Sequence, residues 1–347
     1  MLTVFTGATQ RGQESRRGDA AVEHIVQLVL LYIGETMKNA HRWDVLGFGI
    51  VTVDDFLIVE SYPSPDAKTP VLEQTRQGGG LTGTALVAAS RLGAKCAYGG
   101  VLGEDELSEW TLSELEHEGI DCASVIRQPD ASLIHAIIVV DRTNHTRNIF
   151  FSEAGVEFRP SSRIDATLIS QAKVLFVDHG EIESALHAAV LARKLGIPTV
   201  ADIERNKHPQ TSELIAQIDH LILSMGFACE YTGTDSPAKA VESLHKSTRR
   251  SCTAVTAGKE GCWYISAEKE GYIQHQSTFE VDVVDTTGCG DVFHGAYAAG
   301  IAWNWDVSRC IRFAAATAAI KATKAGGRAG IPDRATVCQF LRGAKGS

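Results

Sequence analysis

Several features are missing from this 347-residue sequence, and each absence removes a class of protein. No two of its eight cysteines are spaced Cys-x-x-Cys, and no Cys/His group has zinc-ligand spacing. Zinc ribbons and fingers are thereby excluded, and buried thiols in a reducing compartment are expected. Basic residues are not in excess: the formal net charge is −9. A phosphate backbone calls for a basic surface, so no nucleic acid partner is expected. No apolar run reaches membrane-spanning length; the longest candidate, Ile25 to Ile33, contains Gln27. It also lacks the charged start and small-residue cleavage site of an export signal. No membrane partner is expected, and the protein reads as cytoplasmic. Internal repeats and low-complexity tracts are absent too. What is present is globular: 44% hydrophobic and 22% charged residues, at a length that suits one large α/β domain with a smaller appendage.

The chain divides by composition. Residues 1–42 open with a polar stretch rich in Gly, Arg and Gln, followed by Ala21 to Ile33, which suits one short amphipathic helix. Met37 stands just before an apolar strand, so residues 1–42 read as an extension, with Met37 as a candidate natural start. From Trp43 onward, strand and helix patterns alternate. Asp44 to Ile50, Val174 to Val177, Thr199 to Ala201, His220 to Leu223 and Ala254 to Thr256 are apolar runs. Helical segments such as Thr82 to Leu92 and Ser184 to Leu195 separate them and end at Gly93 and Gly196. Continuous apolar strands between helices predict a doubly wound, mainly parallel α/β sheet with helices on both faces. Two stretches, about 54–77 and 133–152, are strand-like without a long intervening helix and read as a small β lid.

The segment richest in chemistry is Asp285-Thr286-Thr287-Gly288-Cys289-Gly290-Asp291. It lies between Asp282-Val283-Val284, which reads as a strand end, and an Ala-rich apolar helix. A glycine turn feeding a helix start offers backbone N–H groups without intrahelical partners, together with the positive end of the helix dipole. Such a site favours phosphate. Beside it, Asp291 can act as an N-cap or as a base that takes a proton from an attacking hydroxyl. An N-capped helix after a glycine turn is the structural alternative, but the whole string is more specific than a short Gly-x-Gly-Asp match.

This segment resembles the C-terminal signature of the PfkB, or ribokinase-like, carbohydrate kinases, with Cys289 where that family usually has Ala. The resemblance runs from about Trp43 to about Phe340. It implies an ATP-dependent sugar kinase using Mg2+ and a monovalent cation, K+. Separately, bare strand edges tend to be covered, so a homodimer joined through the lid is expected. Asp291 becomes the catalytic base, and the N–H groups of Gly288, Cys289 and Gly290 the anion hole. Asp285 and Thr287 match positions that help to hold the monovalent cation. Val255 to Gly261 resembles the nucleotide-phosphate loop, with Thr256, Gly258 and Gly261 as its contacts. Ser224 stands where the family often has Asn, and Phe227 where it has Glu. Gly327 lies in the C-terminal loop that flanks the nucleotide.

On the acceptor side, Gln77 to Ala85 resembles the N-terminal glycine-rich substrate motif, which assigns Gly79 and Gly80 to substrate and puts Thr84 where an Asn usually reads sugar hydroxyls. Of the adjacent acids, one points inward and one outward on a strand; by spacing, Asp54 matches the hydroxyl-reading residue. The C-terminal loop is most similar to that of sulfofructose kinases, and Lys68 matches a basic residue near their substrate. The arginine those kinases present is missing from Asp178 to Glu181, leaving Lys68 and Arg147 as the cations of the lid. The acceptor is therefore open among a free sugar, a sulfonated ketose, a phosphosugar and a nucleoside. A non-catalytic sugar- or nucleotide-binding regulator is the rival from another class. A dinucleotide oxidoreductase is disfavoured, because Gly47-x-Gly49 lacks the third glycine of that fingerprint.

Overall fold

A computed structural model describes residues 41–344 except 145, 249 and 270. The expected N-terminal helix, and the extension but for its last two residues, lie outside the described residues. The strands, in chain order, are β1 (Trp43–Phe48), β2 (Thr52–Val59), β3 (Glu73–Gly79), β4 (Cys96–Tyr98), β5 (Val101–Leu102), β6 (Ile126–Arg127) and β7 (Ile134–Asp141). They continue with β8 (Thr146–Ser152), β9 (Ala172–Asp178), β10 (Thr199–Asp202), β11 (His220–Ser224), β12 (Cys252–Thr256), β13 (Cys262–Ser266) and β14 (Gln274–Gln276).

The main sheet has the order β14-β13-β12-β11-β10-β9-β1-β4. β4 through β12 run parallel; β13 and β14 close one edge antiparallel. Side chains alternate faces along each strand, and both faces are apolar. Val174 and Phe176 join one core, with helices α1 (Leu81–Arg91) and α2 (Glu106–His117) on that side. Leu175 and Val177 join the other, covered by α3 (Ala166–Ile169), α4 (Ile182–Leu195), α5 (Thr211–Gln217), α6 (Met225–Thr232) and α7 (Pro237–Ser247). The first core is completed by α8 (Cys289–Ala302), α9 (Val307–Lys321) and α10 (Arg334–Gly343). Burial on both faces is why these strands read as unbroken apolar runs. No helix among the described residues is long and apolar enough to cross a membrane.

A second sheet, β3-β2-β7-β8, stands apart. Two antiparallel pairs are joined by parallel β2 and β7. β2 starts earlier than the sequence pattern indicated and carries Asp54 and Asp55; β3 ends in the glycine motif at Gly79. The Asp282-Val283-Val284 segment is irregular backbone rather than a strand end, with Val283 and Val284 exposed.

Candidate active site

Chain direction reverses its march across the sheet at β1, which has β4 on one side and β9 on the other. In open α/β sheets, ligands bind beyond the carboxyl ends of strands near such a point. Here β9 ends in Asp178, whose carboxylate is 1% exposed and accepts four hydrogen bonds. Its donors are the N–H groups of Ile50 (2.7 Å), Thr82 (3.2 Å) and Gly180 (2.8 Å) and the Thr82 hydroxyl (2.7 Å). Burial pushes its pKa up against these bonds. Asp178 thus fastens the β1–β2 corner to the start of α1.

The two adjacent acids of β2 have different fates. Asp55 is saturated: Arg76 donates to both carboxylate oxygens (2.8 and 3.0 Å), and His135 Nε2 lies 2.9 Å away. The Arg76 bonds hold its pKa down. Asp54 accepts only from the Thr52 hydroxyl (2.9 Å), and burial holds its pKa up. Its other oxygen lies against Gly79, where a Cβ would come within 2.4 Å. Gly80 caps α1 at φ 82°.

Thr84 is 2% exposed, and its hydroxyl accepts from Arg328 Nε (3.3 Å). Arg328 is itself 5% exposed; it also donates to Glu114 (2.6 Å) and to the Gly79 carbonyl (2.7 Å). A Cβ at Gly78 or Gly83 would collide with this guanidinium, so those glycines make its slot. Lys68 is exposed on the β2–β3 connection and makes no hydrogen bond or ion pair with any described residue.

The loop before α8 is assembled from three directions. The Asp285 carboxylate accepts from the N–H groups of Thr287 (2.8 Å) and Gly326 (2.9 Å). Arg147 of β8 donates to the Thr287 hydroxyl and lies 3.8 Å from Asp285. The ammonium of Lys321, at the end of α9 and wholly buried, donates to the backbone carbonyls of Asp285 (3.0 Å) and Thr287. Gly288 is the N-cap at φ 75°, and a Cβ there would meet the Gly327 carbonyl at 2.8 Å. Glycine is required on both counts. No side chain caps α8. The Cys289 N–H, expected in the anion hole, instead closes a turn onto the Thr286 carbonyl (3.1 Å). The N–H groups of Gly288, Gly290 and Asp291 have no protein acceptor among the described residues, and a Cβ at Gly290 or Gly327 would meet no protein atom within 4 Å.

Asp291 does not cap its helix, and its carboxylate receives no hydrogen bond from a described residue. Burial, then the nearby Asp202 and Glu204 charges, push its pKa well above the usual carboxylate range; His294 and Arg328 pull the other way. Asp202 ends β10 and is likewise held high by burial. It lies 3.2 Å from His294 Nδ1. That nitrogen is also 2.8 Å from the Gly290 carbonyl, while Nε2 is 3.0 Å from the Ile222 carbonyl. His294 therefore ties the turn carrying Asp291 to β10 and β11.

Beside this loop opens a cavity of about 520 Å³. Thr256, Gly258, Gly261, Cys289 and Gly290 line its polar end, and Val281, Val283, Phe293, Ala315 and Ala318 its apolar walls. Ser224 pairs with Thr256 where β11 and β12 end, and its hydroxyl caps α6 through the Phe227 N–H (3.4 Å). Among the described residues no three acidic, His or Cys side chains gather as a metal cluster.

Four residues were not singled out for these positions by sequence: Asp178, His294, Lys321 and Arg328. Only Lys321 left a usable signal, since Cys310, Ala314, Thr317 and Lys321 share the buried face of α9.

Residues 44–334 match the model of the pfkB family carbohydrate kinases. The chain is 31% identical over 240 residues to a ribokinase of Mus musculus, covering 65% of this chain and 71% of that protein. It is 25% identical over 296 residues to a ribokinase of Staphylococcus aureus (strain COL), covering 83% and 96%. A crystal structure of a putative ribokinase from Agrobacterium tumefaciens superposes with a TM-score of 0.80 at 28% identity, covering 87% of this chain and 98% of that one. An uncapped helix start with an unpaired carboxylate beside it agrees with a match across most of the chain: this protein belongs to the pfkB family of carbohydrate kinases.

Proposed function

We propose that the protein transfers the γ-phosphoryl group of ATP to a hydroxyl of a neutral sugar. The unpaired Asp291 carboxylate beside an uncapped helix N-terminus carries this reading. Asp291 accepts the proton of the attacking hydroxyl, a task its raised pKa suits. The N–H groups of Gly288, Gly290 and Asp291 neutralise charge that develops on the transferred group. The apolar cavity takes the adenine, and Thr256, Gly258 and Gly261 face its phosphates. Magnesium neutralises those phosphates when bound. The nearest acids are Asp202, engaged by His294, and the exposed Glu204, so ATP oxygens and water supply most of its ligands.

Neutrality of the acceptor follows from where the cations are. Arg328 is committed to Glu114, Gly79 and Thr84, Arg147 to the Asp285–Thr287 loop, and Lys68 is exposed on a connection. A sulfonate or phosphate on the acceptor would need several unengaged donors. Asp54, with one oxygen unbonded, reads paired hydroxyls, and Gly79 and Gly80 admit the sugar backbone closely. The β2-β3-β7-β8 sheet acts as the lid that excludes water. Its edge strand β8 exposes Ile149, Phe150 and Phe151 by 51%, 53% and 56%. A second copy covers that edge, giving a homodimer. Eight free thiols suit a reducing compartment, and a cytoplasmic location is part of this reading.

The test is ADP release across a panel of pentoses, hexoses, ketoses, sulfofructose, fructose 6-phosphate and nucleosides, with Asp291→Asn as the control. A neutral sugar is expected to give the highest kcat/KM. A clear preference for an anionic acceptor overturns the neutral assignment. If no compound gives turnover that Asp291→Asn abolishes, the kinase mechanism fails and a binding regulator stands in its place. Sedimentation of the wild type against Phe150→Glu checks the dimer.

A further inference from the structure

The resemblance implied an exchangeable K+ beside Asp285 and Thr287. The residues there fit a different arrangement. The backbone carbonyls of Asp285 and Thr287 both accept from the Lys321 ammonium. Convergent carbonyl oxygens are the ligands that replace the hydration shell of a monovalent cation, and an ammonium is a compact single charge with three donors. Lys321 is wholly buried, on the apolar face of α9.

We propose that Lys321 is a built-in replacement for the monovalent cation, so that the phosphate loop is organised without K+. The inference rests on the kinase reading of that loop. Its mechanism follows from peptide geometry. The Thr287 carbonyl and the Gly288 N–H belong to one planar trans peptide and point in opposite directions. Holding the carbonyl on Lys321 therefore turns the Gly288 N–H away from the core, to the side where phosphate is bound. The Asp285 carbonyl and Thr286 N–H are held in the same way. Lys321 is a positioning residue: it touches neither substrate, and acts through the two peptide planes.

Two neighbouring features support the assignment. The Asp285 carboxylate is directed to backbone N–H groups, those of Thr287 and Gly326, and not inward to a separate ion. On the outer side, Arg147 supplies a further positive charge at Asp285 and Thr287. The loop thus has positive charge on both sides from side chains of its own chain.

The experiment compares choline chloride with KCl at equal ionic strength. ADP affinity by calorimetry and Tm are read alongside turnover, so that absence of a good acceptor does not obscure the answer. For the wild type, ADP affinity, Tm and kcat are expected to be the same in both salts. Lys321→Ala in choline is expected to lose about 10- to 100-fold in ADP affinity or kcat, the usual effect of removing a group that orients a ligand-binding shell. Adding KCl or methylammonium should restore much of that loss, which a purely structural lysine would not allow. A wild type whose ADP affinity or Tm rises with K+ overturns the proposal. So does a folded Lys321→Ala that is unimpaired, or impaired without rescue by any small cation. If the variant does not fold, the wild-type comparison decides. If ADP binds independently of K+ but no sugar turns over, the kinase reading fails and this one stands.

Discussion

Two glycine turns in this protein lead directly into helices, and they differ in what answers the helix start. At Gly80 the start of α1 carries no cap of its own, but Asp178 reaches across from β9 and accepts from the Thr82 N–H and hydroxyl. The positive end of that helix is already answered by a protein carboxylate. At Gly288 the start of α8 has no such partner, and the only acid in its first turn, Asp291, stays unbonded. The same local pattern thus gives a sealed helix start at α1 and an open one at α8. A helix N-terminus becomes a phosphate site only where the fold withholds a carboxylate from it.

The largest test of this contrast is to remove the unbonded acid. Asp291→Asn should lower kcat by about 10²- to 10⁴-fold, the range for loss of a general base. It should also raise Tm. Folded Asp291 holds its proton to a higher pH than unfolded Asp291 does, so wild-type stability falls as pH rises from the unfolded carboxylate pKa through the raised folded one. Asn removes that loss, and each 1 kcal/mol regained raises Tm by about 1–2 °C in a chain of this size. A variant that is inactive and also less stable would contradict the electrostatic account. The same raised pKa predicts that kcat/KM of the wild type fades on the acid side at a higher pH than an ordinary aspartate would give. A flat profile down to pH 4 would argue against Asp291 as the base.

Next in size is the open turn itself. Gly288→Ala forces a side chain into φ 75° and against the Gly327 carbonyl. We expect kcat to fall about 10²- to 10³-fold, as when an oxyanion donor is lost, with the acceptor KM little changed. On the sealed side, Asp178→Ala should reverse this pattern. It releases four donors and should cost about 3 kcal/mol of stability by urea unfolding, together with a raised acceptor KM. If Asp178→Ala instead leaves stability untouched, its carboxylate is not what seals α1.

Smaller again is Arg328→Lys. A lysine cannot reproduce the fork to Glu114, Gly79 and Thr84. An acceptor KM raised about tenfold with unchanged ADP affinity is expected, equivalent to about 1.4 kcal/mol; loss of ADP affinity instead would place Arg328 on the phosphate side. The smallest effect belongs to Lys68→Ala, within about 0.5 kcal/mol for an exposed charge. A large rise in acceptor KM there would revive an anionic substrate.

Much of the fold was legible because burial leaves a strong record in sequence. Val174 to Val177 alternate between two apolar cores, so the strand reads as an uninterrupted run. Val283 and Val284 misled for the converse reason. Their apolar character serves an irregular, exposed segment, and Val283 lines the apolar cavity beside the loop before α8. In the site, the Asp285–Asp291 string announced itself because glycine spacing and an acid occur within seven residues. Arg328 gave no comparable signal. Its slot is made by Gly78 and Gly83, far away in sequence, and only the folded chain brings them together. Asp54 and Asp55 likewise differ through partners on β3 and β7, where Arg76 and His135 engage Asp55.

Arg147 moors the second sheet to the turn before α8. Its guanidinium lies at Asp285 and Thr287. The two contacts join β8, an edge strand of one sheet, to a loop that follows the last strand of the other. The second sheet cannot swing away from that turn without breaking them. In the proposed mechanism, the element that shields the acceptor and the turn that receives phosphate are thereby mechanically linked.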